Sequence, residues 1–80
     1  MRDLGEFMIE VVEDLGFFIS SNTSDQNWVN FEVEASRSDQ GFILDELDDA
    51  VYNKTGEFYE IEVGGTSRQG VIEVKCYIGN

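Results

Sequence analysis

The chain has no histidine and no proline, a single cysteine, and only five basic residues in eighty. Each shortage excludes something. Without histidine, the commonest general base, proton shuttle and metal ligand is gone. A lone thiol, Cys76, permits neither a disulfide framework nor a cysteine zinc site, and its apolar neighbours mark it as a core residue. With no proline, nothing forbids any of the strands proposed below. No apolar run approaches the ~20 residues of a membrane span. Acids interrupt the opening stretch from Met1 to Glu6, so it does not read as a signal peptide. The two Asn-x-Ser/Thr sequons, at Asn22 and Asn53, are read as chance occurrences, and the expected setting is cytoplasmic.

What the chain has in excess is negative charge. Seventeen Asp and Glu face five Lys and Arg, a formal net charge of −12. Direct binding to nucleic acid or to an anionic membrane needs a basic patch, so both are excluded as partners. The natural partner of such a field is a basic protein surface or a cation. The chain is still that of a folding protein. Hydrophobic residues make up 41%, and six Phe, three Tyr and one Trp supply large core side chains. Residues 1–80 suffice for one domain, with a thin core that buries roughly 60% of the unfolded surface.

Hydrophobic periodicity gives the elements. Leu4, Phe7, Met8, Val11, Val12 and Leu15 recur at helical spacing, with Asp3, Glu6, Glu10, Glu13 and Asp14 on another face and Gly16 as C-terminal cap. A short apolar run, 16–20, reads as a strand. After a polar turn, residues 28–35 alternate: Val29, Phe31, Val33 and Ala35 on one side, Asn30, Glu32 and Glu34 on the other. Ser38 or Asp39 is expected to cap a second helix with the stripe Ile43, Leu44, Leu47, Ala50 and Val51, ending at Gly56. Residues 57–63 alternate again, 64–70 read as a hairpin loop, and 71–78 form the last strand. Tyr59, Ile61 and Val63 are assigned to one face of the penultimate strand; Phe58, Glu60 and Glu62 to the other.

The order is αββαββ, an α+β fold. The expected packing is one four-stranded antiparallel sheet with both helices on one face. It is what a ferredoxin-like unit becomes when its first strand moves to the C-terminus. The last strand then lies centrally between 28–35 and 57–63, leaving 57–63 and 16–20 at the edges.

Enzyme chemistry finds little footing. Glycosidases need two carboxylates, one of them partly buried, and here the acids fall on solvent faces. The glycines at 64 and 65 lack a downstream Gly-Lys-Ser/Thr. Asp45, Glu46, Asp48 and Asp49 are hard oxygen ligands, yet they splay around a helix, whereas calcium sites wrap the ion in a loop. No catalytic residue, metal site or cofactor is assigned.

The acids themselves are the candidate site. On the open sheet face Glu32, Glu34, Glu60, Glu62 and Glu73 are expected to crowd together, relieved only by Lys75 and anchored by Phe58 and Tyr77. Asp45, Asp48 and Asp49 on the second helix, and Glu6, Glu10 and Glu13 on the first, form further acidic ridges. Neighbouring carboxylates are about 6.5 Å apart along a strand and about 5–6 Å apart on a helix turn. That spacing resembles phosphates along a nucleic-acid backbone, and carboxylates pair with Arg much as phosphates do.

In size, net charge and mixed α/β pattern the chain resembles the small acidic inhibitors of phages and mobile elements: anti-CRISPR proteins, antirestriction proteins and uracil-DNA glycosylase inhibitors. The resemblance is one of composition, with no motif matched. It implies a nucleic-acid mimic in the bacterial cytoplasm that fills the basic channel of a defence nuclease or surveillance complex. Two other readings stay open: an immunity or antitoxin protein that plugs a nuclease toxin, and an acidic adaptor whose charge serves solubility.

Overall fold

The computed structural model describes residues 3–79, so Met1 and Arg2 of the opening segment lie outside the described residues. Helix α1 spans Leu4–Asp14. Asp3 caps it, its carboxylate accepting the Glu6 N–H at 2.7 Å. Met8 and Val12 are fully buried, as the apolar stripe requires. At the far end Gly16 takes a positive φ of 100°, and the Phe17 N–H still reaches back to the Val12 carbonyl. Strand β1 is therefore Phe18–Asn22, two residues later than the 16–20 expected: the chain is still leaving the helix at Phe17.

Strand β2 runs from Trp28 to Glu34. The loop before it is closed by Asp25, whose carboxylate accepts the N–H groups of Asn27 and Trp28. A 3₁₀ turn, Arg37–Asp39, then leads into α2, Gln40–Thr55. Asp39, one of the two expected residues, is the N-cap of α2, but its side chain serves the preceding turn and makes no cap hydrogen bond to the helix. Ser36 heads the turn, and its N–H and hydroxyl both donate to the Asp39 carboxylate, at 3.1 and 3.0 Å. Gly56 stops α2 as expected, left-handed at φ 76°, its N–H on the Tyr52 carbonyl.

Strand β3 is Ile61–Gly65, not 57–63. Residues 57–60 are held by the helix end instead. Thr55 donates its hydroxyl to the Val51 carbonyl and accepts the Glu57 N–H, and the Phe58 ring stacks on Tyr52. Gly64 and Gly65, expected in the hairpin loop, continue the strand. A Cβ at Gly65 would come 2.9 Å from Nε of Arg37, so the glycine admits that side chain. The chain then turns through Gly70, φ 79°, into β4, Val71–Tyr77.

The sheet order is β1-β2-β4-β3, antiparallel throughout. The last strand is central and the outer strands are β1 and β3, as the pattern predicted. Both helices cover one face. Between them and the sheet lie Met8, Val12, Val29, Phe31, Val33, Ile43, Leu47, Val51, Ile72, Val74 and Cys76. Lys54, in the last turn of α2, lies 5.3 Å from the centre of the Phe7 ring in α1, so the end of α2 comes beside the first half of α1.

Candidate acidic interaction surfaces

Strand pairing fixes what the open sheet face presents. Alternate residues of adjacent strands stand side by side. Read across the strands, one row is Glu62, Lys75 and Asn30. The next is Gly64, Glu73, Glu32 and Ser21, and a third is Val71, Glu34 and Phe18. Tyr77 and Trp28 make the row at the other end, their rings 5.0 Å apart and edge-on at 60°.

Four of the five glutamates expected on this face are there: Glu32, Glu34, Glu62 and Glu73. Glu32 and Glu73 stand directly opposite one another. They do not stand alone, however. Glu32 is paired with Arg68, which reaches over from the β3–β4 turn, and Glu73 with Lys75 at 3.5 Å. The Ser21 hydroxyl also donates to Glu32. Lys75 was the one relieving charge expected; Arg68, coming from a loop, was not foreseen. The cross-strand repulsion is thereby offset inside the face itself.

Two expected members sit elsewhere. Glu60 precedes β3 and is exposed. Phe58, 83% exposed, stacks on Tyr52 of α2, centroids 4.3 Å apart and planes within 4°. The reason is the same helix-end turn that delays β3. Tyr77 does lie on the sheet face, but its aromatic neighbour is Trp28. The alternation of β2 placed Trp28 on the Asn30 side, so this was legible.

The outer face of the helix layer is different. Glu6, Glu10 and Glu13 form the exposed ridge of α1, with Asp14 beside them. Asp45, Glu46, Asp48 and Asp49 are exposed on α2. Against these eight acids the two helices carry one cation, Lys54. Exposed aromatics lie among the acids of α2. Phe42 and Tyr52 are 51% and 40% exposed. Phe42, Asp45, Asp49 and Tyr52 follow one another at i, i+3, i+7 and i+10, a single outward stripe about 15 Å long. The carboxylates of Asp48 and Asp49 are one helical turn from Tyr52, so they border its stack with Phe58. The helical wheel held this signal for both aromatics.

Positive charge gathers at one end of the sheet. Arg37 and Arg68 line a cleft of about 670 Å³ together with Ala35, Ser36 and residues 66, 67 and 69–71. Among the described residues no three acids or thiols form a cluster that could hold a metal ion, and no helix is long and apolar enough to cross a membrane. Burial pushes the Cys76 thiol up to about 11, with the nearby charge of Asp48 adding to the effect. Tyr59 is also raised, first by burial and then by the Glu57 carboxylate, to which its hydroxyl donates.

Comparison with protein-family models, curated proteins and solved structures gives no match.

Proposed function

We propose that the protein is a polyanion mimic that binds the basic nucleic-acid groove of another protein, and that the helix layer is its docking surface. The target class is a defence nuclease or surveillance complex of the kind anti-CRISPR proteins block. One observation carries the reading: the stacked Tyr52 and Phe58 rings stand beside exposed carboxylates on α2. Proteins that hold single-stranded nucleic acid use Arg and Lys for phosphates and aromatic or guanidinium planes for bases. A stack of two rings bordered by carboxylates offers both kinds of contact. The acid ridges of α1 and α2 extend it, since packed helices lie about 8–10 Å apart. The sheet face supports the reading less, because Arg68 and Lys75 already occupy two of its glutamates.

The test is inhibition of DNA cleavage by a panel of purified CRISPR effector nucleases and restriction enzymes. The expected result is inhibition of at least one, competitive with its nucleic acid and weakening steeply as salt is raised. Replacing Tyr52 and Phe58 by alanine should weaken inhibition even at low salt. Inhibition that is insensitive to salt, or absent across the panel, removes the reading.

A further inference from the structure

Among the described residues Arg68 and Lys75 pair with glutamates, and Lys54 lies over the Phe7 ring. Arg37 is different. It is exposed and has neither an ion pair nor a hydrogen bond to any described residue, in a chain with seventeen acids. Its place is fixed all the same. Gly65 stands opposite buried Ile72, so its missing side chain leaves room on the helix side of the sheet, and the Arg37 guanidinium lies there. From that side Arg37 lines the cleft at the end of the sheet. Arg68 lines the same cleft and reaches out of it over the open face to Glu32.

The walls of the cleft are braced. The Thr66 hydroxyl donates to the Val71 carbonyl at 2.8 Å and accepts the Arg68 N–H at 3.1 Å, which holds the turn that carries Arg68. The Ala35 N–H donates to the Gly70 carbonyl at 3.0 Å and ties the other wall to that turn. Ser36 and Arg37 stand just before α2, at the positive end of its dipole. The Ser67 hydroxyl is exposed and has no partner among the described residues. Three acids flank the cleft. Glu32 is held by Arg68, Asp39 accepts the Ser36 N–H and hydroxyl, and Glu34 is exposed opposite Val71.

Two guanidinia on one cleft select the anion. A single Arg fork fills both oxygens of a carboxylate, whereas a phosphate group has three free oxygens and a charge of about −1.5 to −2, enough for two forks. A nucleic-acid strand suits the place poorly. It would run beyond the ~8 Å over which the two guanidinia are felt and into the field of the surrounding acids.

We propose that the Arg37–Arg68 cleft binds one phosphate group, free or carried by a small monoester. Arg37 supplies a fork with no other partner, Arg68 the donors that Glu32 leaves, and Ser67 a hydroxyl. A cleft of about 670 Å³ is in the range of small-molecule sites and has room for an esterified group besides the phosphate. The proposal does not depend on a basic partner for the helix layer.

Two-dimensional NMR of the full chain tests it, in phosphate-free buffer at fixed ionic strength, reading backbone amides and Arg Nε–H signals. The probes are inorganic phosphate, adenosine 5′-monophosphate and acetate. The expected result is saturable shifts at Arg37, Arg68 and residues 66–70 with phosphate, at least about tenfold tighter than with acetate. Tighter binding of the monophosphate assigns the site to an ester; equal binding assigns it to free phosphate. No saturation by either at about 20 mM, or acetate bound as tightly as phosphate, overturns the proposal. Arg37→Gln should weaken phosphate by about tenfold, and unchanged affinity would remove Arg37 from the site. Glu32→Gln frees Arg68 and should tighten phosphate about threefold. Glu57→Gln makes the same charge change beside Tyr77, at the other end of the sheet, and should alter affinity by less than about 1.5-fold. Equal effects of the two would show that only net charge is felt, and would overturn a built site. The same spectra report whether each variant is folded.

Discussion

The two broad faces of this molecule carry their acids in different company. On the open sheet, Glu32 and Glu73 oppose each other across neighbouring strands, and each has acquired a cation, Arg68 or Lys75. On α2 four acids, Asp45, Glu46, Asp48 and Asp49, share one lysine, and that lysine leans over Phe7. The difference follows from geometry. A flat face of adjacent strands brings like charges within one strand spacing, and a hairpin loop can fold an arginine over them. A helix turns its acids outward, where water solvates them separately and repulsion per pair is small. A surface that has balanced its own charge has less left for a partner. The outer face of α2 has no such balance among its four acids.

Charge neutralisation should break this comparison most sharply. Changing Asp45, Asp48 and Asp49 to asparagine should weaken binding to a fluorescent oligo-arginine peptide by about 100-fold, at about 1 kcal/mol for each lost contact. Changing Glu32, Glu34 and Glu62 to glutamine should cost less than about tenfold, because Arg68 already offsets the charge of Glu32 before the change. Fluorescence anisotropy reads both. Equal losses would mean that the faces are equivalent.

Stability should invert the ranking. Trp28→Ala removes a partly buried ring and its edge-on contact with Tyr77, and should destabilise the fold by about 2 kcal/mol. Phe58→Ala, at a ring 83% exposed, should cost under about 1 kcal/mol. Urea unfolding separates them. A larger loss at Phe58 would show that the Tyr52 stack serves the fold and not a partner.

The ion pairs are a smaller matter. Arg68→Ala should destabilise by about 0.5–1 kcal/mol at low salt, since it leaves Glu32 facing Glu73, and by almost nothing at high salt. A loss that persists in high salt would indicate packing by the arginine stem.

The last effect appears only in alkali. The folded Cys76 thiol titrates near 11 rather than 9, so the folded state holds its proton where the unfolded chain releases it. Its contribution is complete below about pH 9 and is lost as pH rises toward 11. Cys76→Val should flatten the fall in melting temperature over that window. Parallel curves for the two proteins would contradict it.

Much of the fold was legible because burial follows period. The stripe from Ile43 to Val51 and the alternation of 28–35 each name their own buried side, and the buried residues agree. The errors cluster where a local bond competes with the pattern. Phe58, Tyr59 and Glu60 alternate like a strand, yet Thr55 and Tyr52 tie their segment to the helix end. Gly64 and Gly65 read as a turn, but both continue β3, and Gly65 admits Arg37. Of the candidate surface, every acidic ridge on the helices was visible, and so was the parity of Trp28. The reach of Arg68 to Glu32 was not, because the two residues are 36 apart in the chain.

The sequence alone determined the sign and size of the charge, the αββαββ order and which side of each element is wet. These depend on composition and on periods of two or 3.6 residues, which a single chain carries locally. Only the tertiary structure decided which glutamates of the sheet face lie beside a cation, and that Phe58 stacks on Tyr52. Those are matters of distance between residues remote in the chain, and distance is what folding creates.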